Sequence, residues 1–275
     1  MRGYELVSGS AVGQNVTIDI GGTPIALRTD DPAFRALLER RYPGFLRADA
    51  ETNYALDIEL FPEDGPVTEE PELHVSRGGT GWRLMRGDFH AYWDDQRGQG
   101  RIIQRLSPYA IDSVLRIVHS LIQAPQGGFL LHGASAIRNG RAFLFSGLSG
   151  AGKTTISRLA PPDATLLTDE ISYIRRDSDR YEACGTPFAG ELARVGENCC
   201  APVEHLFFLA QGPENRIDPI PTPDALRMLL RNILFFADDS KLVEMVFRSA
   251  CEFLSRVPAS RLTFLPDERV WELIQ

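Results

Sequence analysis

Residues 147–154 read Gly-Leu-Ser-Gly-Ala-Gly-Lys-Thr, a complete G-x-x-x-x-G-K-[ST] spacing. Each residue type in that pattern has a job on a phosphate. The glycines let backbone N–H groups turn inward around it, the lysine adds a compact positive charge, and the threonine hydroxyl can ligate Mg²⁺. The context is the one the motif needs. Residues 141–146 form an apolar run that reads as a buried strand, and residues 154–159 read as the start of a helix, whose N-terminal dipole favours an anion. Gly147, Leu148, Ser149, Gly150, Ala151, Gly152, Lys153, Thr154 and Thr155 are therefore the expected nucleotide-binding residues. Of the 29 basic residues only Lys153 and Lys241 are lysines. One of the two thus stands where a point charge suits and a guanidinium fork does not.

Acids follow soon after. Leu166-Leu-Thr-Asp169-Glu170 is an apolar run ending in two carboxylates, Asp169 lying sixteen residues beyond Lys153. The later apolar run at 206–210 ends in Gln-Gly-Pro and offers no acid. One carboxylate of the pair can complete a Mg²⁺ shell begun by Thr154, and the other can accept the proton of an attacking hydroxyl. Neighbouring strand residues point to opposite faces, so both can face a nucleotide only where the strand ends or bulges. His132 precedes the loop-bearing strand and reads either as a proton relay or as a hydrogen-bonded core residue. The segment 185–191, with Gly185 and Gly190 as hinges, reads either as an ordinary loop or as one that turns Glu191 or Arg194 toward an acceptor.

Around these residues the chain divides near residue 106. The first part is rich in alternating runs (15–20, 24–28, 53–60, 73–75, 82–85, 89–93 and 102–103), predicting an antiparallel meander. It carries one helix, over 32–41, capped by Asp31 with Pro32 at its first position. An acidic loop occupies 62–71. The second part opens with a helix capped by Ser107, whose Ile111, Val114, Leu115, Val118, Leu121 and Ile122 share a face. Strands at 129–133, 134–137, 165–168, 171–174, 206–210 and 261–265 follow, with helices at 224–232 and 241–256. Asp238 and Asp239 read as caps of the last helix rather than as a site.

The formal net charge is −8, with no Lys/Arg-dense stretch, which argues against nucleic acid as the main partner. No apolar run is long enough for a membrane span and the first residues lack a signal-peptide apolar stretch, so a cytoplasmic location is expected. Cys184, Cys199, Cys200 and Cys251 show no metal or disulfide spacing and are expected to be free thiols.

Taken together, His132-Gly133, the loop 147–154 and the 166–170 run resemble the catalytic domain of HPr kinase/phosphorylase and its HPr-kinase-like serine kinase relatives. The loop also resembles that of ATP-dependent phosphoenolpyruvate carboxykinase. The resemblance is strongest over residues 128–175. It implies proton transfer by His132 and Asp169 and metal binding by the acid pair, so Asp169 becomes the expected base, Glu170 a metal ligand and His132 the residue that tunes Asp169. The chain departs from that family at three points, the first being an N-terminal region not evidently of its type. Glu170 stands where a second Asp is usual, and the Arg-Gly-rich segment of the bifunctional enzymes is not found.

The expected fold is α/β, a mixed-sheet P-loop kinase domain of HPr-kinase/carboxykinase type over residues 106–275, preceded by an antiparallel α+β domain over 1–105. The expected function is ATP- and Mg²⁺-dependent phosphoryl transfer to a hydroxyl, a serine of a peptide or protein, with residues 1–105 recognising the acceptor or a partner. An oligomer is compatible with the sequence. A small-molecule kinase and a nucleotide-binding scaffold without phosphotransfer stand as alternatives, and GTP or pyrophosphate as alternative donors.

Overall fold

A computed structural model describes residues 15–48, 51–61, 72–237 and 239–274. The acidic loop at 62–71, residues 1–14 and Asp238 lie outside the described residues.

The first part forms β1 (Asn15–Ile20), β2 (Thr23–Arg28), α1 (Pro32–Arg41), β3 (Tyr54–Leu60), β4 (His74–Gly78), β5 (Gly81–Arg86), β6 (Phe89–Asp94) and β7 (Gln99–Gln104). Their sheet runs β1-β2-β3-β7-β6-β5-β4. The antiparallel meander expected here is corrected to a mixed sheet. β2 pairs with β3, and β3 with β7, in parallel. The reason is α1, which carries the chain back across the sheet so that β3 enters in the direction of β2. That helix begins as its sequence dictates. The Asp31 carboxylate accepts from the Phe34 N–H at 2.7 Å, and Pro32, which has no N–H to satisfy, sits at the first turn.

The second part contains α2 (Pro108–Gln123), β8 (Phe129–Arg138), β9 (Arg141–Ser146), α3 (Lys153–Arg158), β10 (Thr165–Thr168), β11 (Ile171–Asp177), β12 (Arg180–Cys184), β13 (Cys200–Gln211), β14 (Arg216–Pro219), α4 (Thr222–Asn232), α5 (Ser240–Arg256) and β15 (Ala259–Phe264). β9, β13 and β15 run parallel, and their near-continuous apolar runs (143–145, 206–209) fit strands buried on both faces. β8 is long enough to serve three partners: β9 along one stretch, β11 at its start and β10 at its end. β13 likewise pairs with β12 at its start. The pairings β8–β9–β13–β12–β11–β8 therefore close on themselves.

One buried apolar cluster runs through both parts of the chain, from Val16 and Ile18 in β1 to Phe253 in α5. Helix α2 lies at its centre, and each of its buried Ile, Leu and Val side chains contributes about 1.5–3 kcal/mol. The hairpin β1–β2 leans on the second part at Gly21, where a Cβ would sit 2.4 Å from the Tyr173 ring. The Tyr173 hydroxyl receives Gln123 Nε2 at 2.5 Å and lies 2.8 Å from Thr23 Oγ1. A second cluster, including Phe145, Ile156, Phe207, Phe264 and Trp271, packs under α3.

The expectation of four free thiols is also corrected. Cys184 and Cys200 are disulfide-bonded, while Cys199 and Cys251 are free and exposed. The antiparallel register of β12 and β13 sets Cys184 opposite Cys200 with their Cα atoms 4.1 Å apart, a proximity that their sixteen-residue separation does not reveal.

Candidate functional site

The loop 147–152 leaves the buried end of β9 and delivers the chain to α3. Gly150 and Gly152 have φ of 79° and 111°, values that favour glycine, and a Cβ on Gly152 would meet the Phe264 ring at 2.7 Å. The loop is pinned from β13 by Gln211, whose Nε2 donates to the Gly150 carbonyl at 2.6 Å. Lys153 is buried and its Nζ donates to the Gly147 and Leu148 carbonyls at 3.0 and 3.4 Å. Burial lowers its pKa, and the carboxylates of Glu170 and Glu191 partly offset that. Leu148 and Ser149 are exposed, and Thr154 and Thr155 are half-buried.

The acid pair occupies the two-residue connection between β10 and β11. The strand ends just before it, so the two side chains are not bound to the alternation of a strand. Thr168 fixes the turn, its Oγ1 accepting from the Glu170 and Ile171 N–H groups at 3.1 and 3.2 Å. Asp169 is 2% exposed, and its carboxylate accepts from the N–H groups of Gly190 and Leu192, both at 2.9 Å. Glu170 faces elsewhere. Its Oε1 lies 3.9 Å from His132 Nδ1, and its backbone carbonyl accepts from the Gly133 N–H at 3.0 Å. His132 therefore sits beside Glu170, where Asp169 was the expected partner. The cause is pairing: β8 and β11 place His132 opposite Ile171, next to Glu170, while Asp169 turns under residues 190–192. Burial lowers the His132 pKa, the charges of Lys153 and Arg116 push the same way, and Glu170 opposes them. The ring is thus neutral near pH 7 and free to accept or donate a proton.

The loop 185–199 closes over the acids. Its ends are joined by the Cys184–Cys200 disulfide and by the Gly185 N–H to Cys199 carbonyl bond at 2.9 Å. Gly190 fits because it lacks a side chain, a Cβ there approaching Asp169 Oδ2 at 2.9 Å and Glu170 Oε2 at 2.8 Å. Glu191 reaches the helix after the phosphate loop, where Thr154 Oγ1 donates to its Oε2 at 3.2 Å. Arg194 lies apart, with Glu197 and Asn198 beside β10. Two residues near the site carried no sequence signal for the place they take. Glu191 reads in the sequence only as a residue facing an acceptor, and Arg116 is a basic residue on an otherwise apolar stretch of α2, its guanidinium 4.9 Å over the Phe188 ring.

Thr154, Glu191 and Glu170 supply oxygen donors of the hard type that Mg²⁺ prefers. Asp169 supplies the same chemistry, but both of its oxygens already hold backbone N–H groups.

A family model described as SynChlorMet cassette protein ScmC matches residues 104–275. The chain belongs to that family. No curated protein matches it. Among solved structures, the chain is similar to the Hpr(Ser) kinase/phosphatase from Coxiella burnetii, at 12% identity over 53% of this chain and 85% of that one, with a TM-score of 0.30. The family match begins at the last residue of β7 and takes in every residue of the site. Among the described residues, no helix is long and apolar enough to cross a membrane.

Proposed function

We propose that this protein is an ATP- and Mg²⁺-dependent kinase that transfers the γ-phosphoryl group to a hydroxyl, a serine of a peptide or protein. The observation that carries the reading is the convergence of Lys153, Thr154, Glu191, Glu170 and His132 at the mouth of a complete phosphate-binding loop. Lys153 and the loop N–H groups hold the β- and γ-phosphates in line. Thr154 and Glu191 would hold Mg²⁺, which would neutralise charge that develops on the transferred group. The acceptor oxygen bonds to the γ-phosphorus as the bond to the β–γ bridging oxygen breaks, ADP leaves, and the hydroxyl proton passes to a carboxylate.

Geometry favours Glu170 for that proton. It is half-exposed and beside a neutral His132, whereas Asp169, the base first expected, is closed off and spent on two N–H groups. Asp169 then acts by holding the loop that presents Glu191. Residues 1–105 are assigned to acceptor or partner recognition, and 106–275 to the nucleotide. The test is incubation with γ-labelled ATP and products of neighbouring genes, followed by phosphosite mapping. Label on a serine that disappears in Lys153→Ala supports the reading. ATP turnover with no labelled acceptor favours the nucleotide-dependent scaffold instead.

A further inference from the structure

Among the described residues, Arg116 makes no hydrogen bond or ion pair. It sits on the least buried side of α2, in line with Ser113 and Ser120, yet its Nε is closed off from solvent with no hydrogen bond. The nearest acid on its own helix is Asp112, one turn earlier, and that carboxylate is already taken. Arg41 Nη2 donates to Asp112 Oδ2 at 2.5 Å, and the Tyr42 hydroxyl donates to Oδ1 at 2.5 Å. The guanidinium stands instead over the Phe188 ring, 4.9 Å from its centre, and Phe188 is itself fully buried in the 185–199 loop. Its charge acts on both His132 and Glu170, yet it bonds to neither.

A guanidinium has five donors in a planar fork matched to carboxylate and phosphate. Holding it largely buried without a bidentate partner is unfavourable, and such groups normally pair. The unfilled fork and the half-exposed His132–Glu170 pair beside it mark a place for a tetrahedral oxyanion.

We propose that Arg116 is an anion-binding residue that receives a phosphoryl group next to His132 and Glu170. Within the kinase reading, on which this identification of the anion rests, the group is the γ-phosphoryl group in transfer or the phosphate it becomes on the acceptor. Lys153 holds it from the side of the nucleotide, and Arg116 from the side of α2. Phe188 is the contact between the guanidinium and the 185–199 loop, which thus touches Arg116 and also carries Glu191.

The probe that presupposes no nucleotide is inorganic phosphate, titrated into the full chain and followed through the His132 ring signals, which are assigned with His132→Gln. The wild type is expected to show a saturable displacement, Arg116→Gln at least tenfold weaker affinity, and Arg116→Lys an intermediate value. Arg116→Gln should melt no lower than the wild type, because it removes an unpaired charge. Equal phosphate affinity in wild type and Arg116→Gln, or no movement of His132 in the wild type, overturns the proposal and leaves Arg116 a resting counter-charge to Glu170. Mg-ADP and Mg-ATP titrations of the same proteins test the underlying reading separately. If phosphate requires Arg116 while neither nucleotide binds, the anion site stands and the kinase reading falls.

Discussion

Thr154 and Glu191 meet across 3.2 Å, tying the first turn of α3 to a loop that begins beyond the acid pair. Two oxygen donors brought this close at the end of a phosphate loop make a natural seat for Mg²⁺. Glu191→Gln is expected to raise the Mg²⁺ concentration needed for half-maximal nucleotide binding about 10–100-fold, the usual cost of disturbing a metal shell. Nucleotide titrations at stepped Mg²⁺ check it. An unchanged Mg²⁺ requirement removes Glu191 from the metal set.

Lys153→Ala should abolish nucleotide binding without unfolding the chain, since its ammonium bonds only to carbonyls of its own loop. In a thermal shift experiment, Mg-ATP at a hundredfold excess over Kd should stabilise the wild type by about 2.7 kcal/mol and leave the variant unmoved. Equal stabilisation of both contradicts the phosphate-loop assignment.

The two acids should part company on substitution. Glu170→Gln is expected to lower transfer by about 10²–10⁴ with nucleotide affinity held within an order of magnitude. Asp169→Asn should instead act through the loop. One oxygen acceptor becomes an NH₂ facing an N–H group, the 190–192 segment loosens, and Mg-ATP affinity and melting temperature fall together. Titration calorimetry beside a turnover assay distinguishes the cases. A dead Asp169→Asn with normal affinity and a live Glu170→Gln would restore Asp169 as the base.

His119 gives a pH signature independent of the site. It is fully buried, neither ring nitrogen has a partner, and burial pushes its pKa down to about 3. Because the unfolded imidazole titrates near 6.5, the unfolded state binds the extra proton between the two values. Stability is therefore unaffected above pH 6.5 and falls by about 1.4 kcal/mol per unit as the pH drops from 6.5 toward 3. His119→Leu should remove that part of the acid sensitivity and be as stable as the wild type or more so at pH 7. Parallel denaturation curves from pH 7 to 4 measure the difference, and identical slopes would exclude a buried neutral His119.

Tyr173→Phe probes the join between the two sheets. It deletes the hydroxyl shared by Gln123 and Thr23 and should cost about 1–3 kcal/mol, because two buried polar groups lose their partner. The loss should appear as one cooperative transition. Two transitions, with only one displaced, would mean that the sheets fold separately and that the division near residue 106 is a true domain boundary.

Local signals were legible in the sequence, and pairings over distance were not. The helix over Pro32–Arg41 could be read from Asp31 and Pro32, and that over Pro108–Gln123 from Ser107 and Pro108, because a cap is a contact between residues two or three apart. The strand–loop–helix around Lys153 is equally local. The parallel entry of β3, the Cys184–Cys200 bond and the meeting of Glu191 with Thr154 depend on sheet order and loop path, which no spacing encodes. His132 shows the limit most directly. Its place before the loop was readable, but whether it faced Asp169 or Glu170 was settled by the β8–β11 register. Arg116 gave no sign, since one basic residue on an apolar helix looks like a solvated stem until the spent carboxylate of Asp112 is seen.

The closed run of pairings through β8, β9, β13, β12 and β11 acts mechanically as a hoop. A strand with a free flank can hinge or slide, whereas each member of a hoop is braced on both sides. His132 and the roots of both site loops are mounted on it. Under the kinase reading, the opening that admits a nucleotide and releases a product falls to the two loops at 147–152 and 185–199. The second is joined at its base by the Cys184–Cys200 disulfide and held along its length by Asp169, so it opens only if the Gly190 and Leu192 N–H bonds to that carboxylate break.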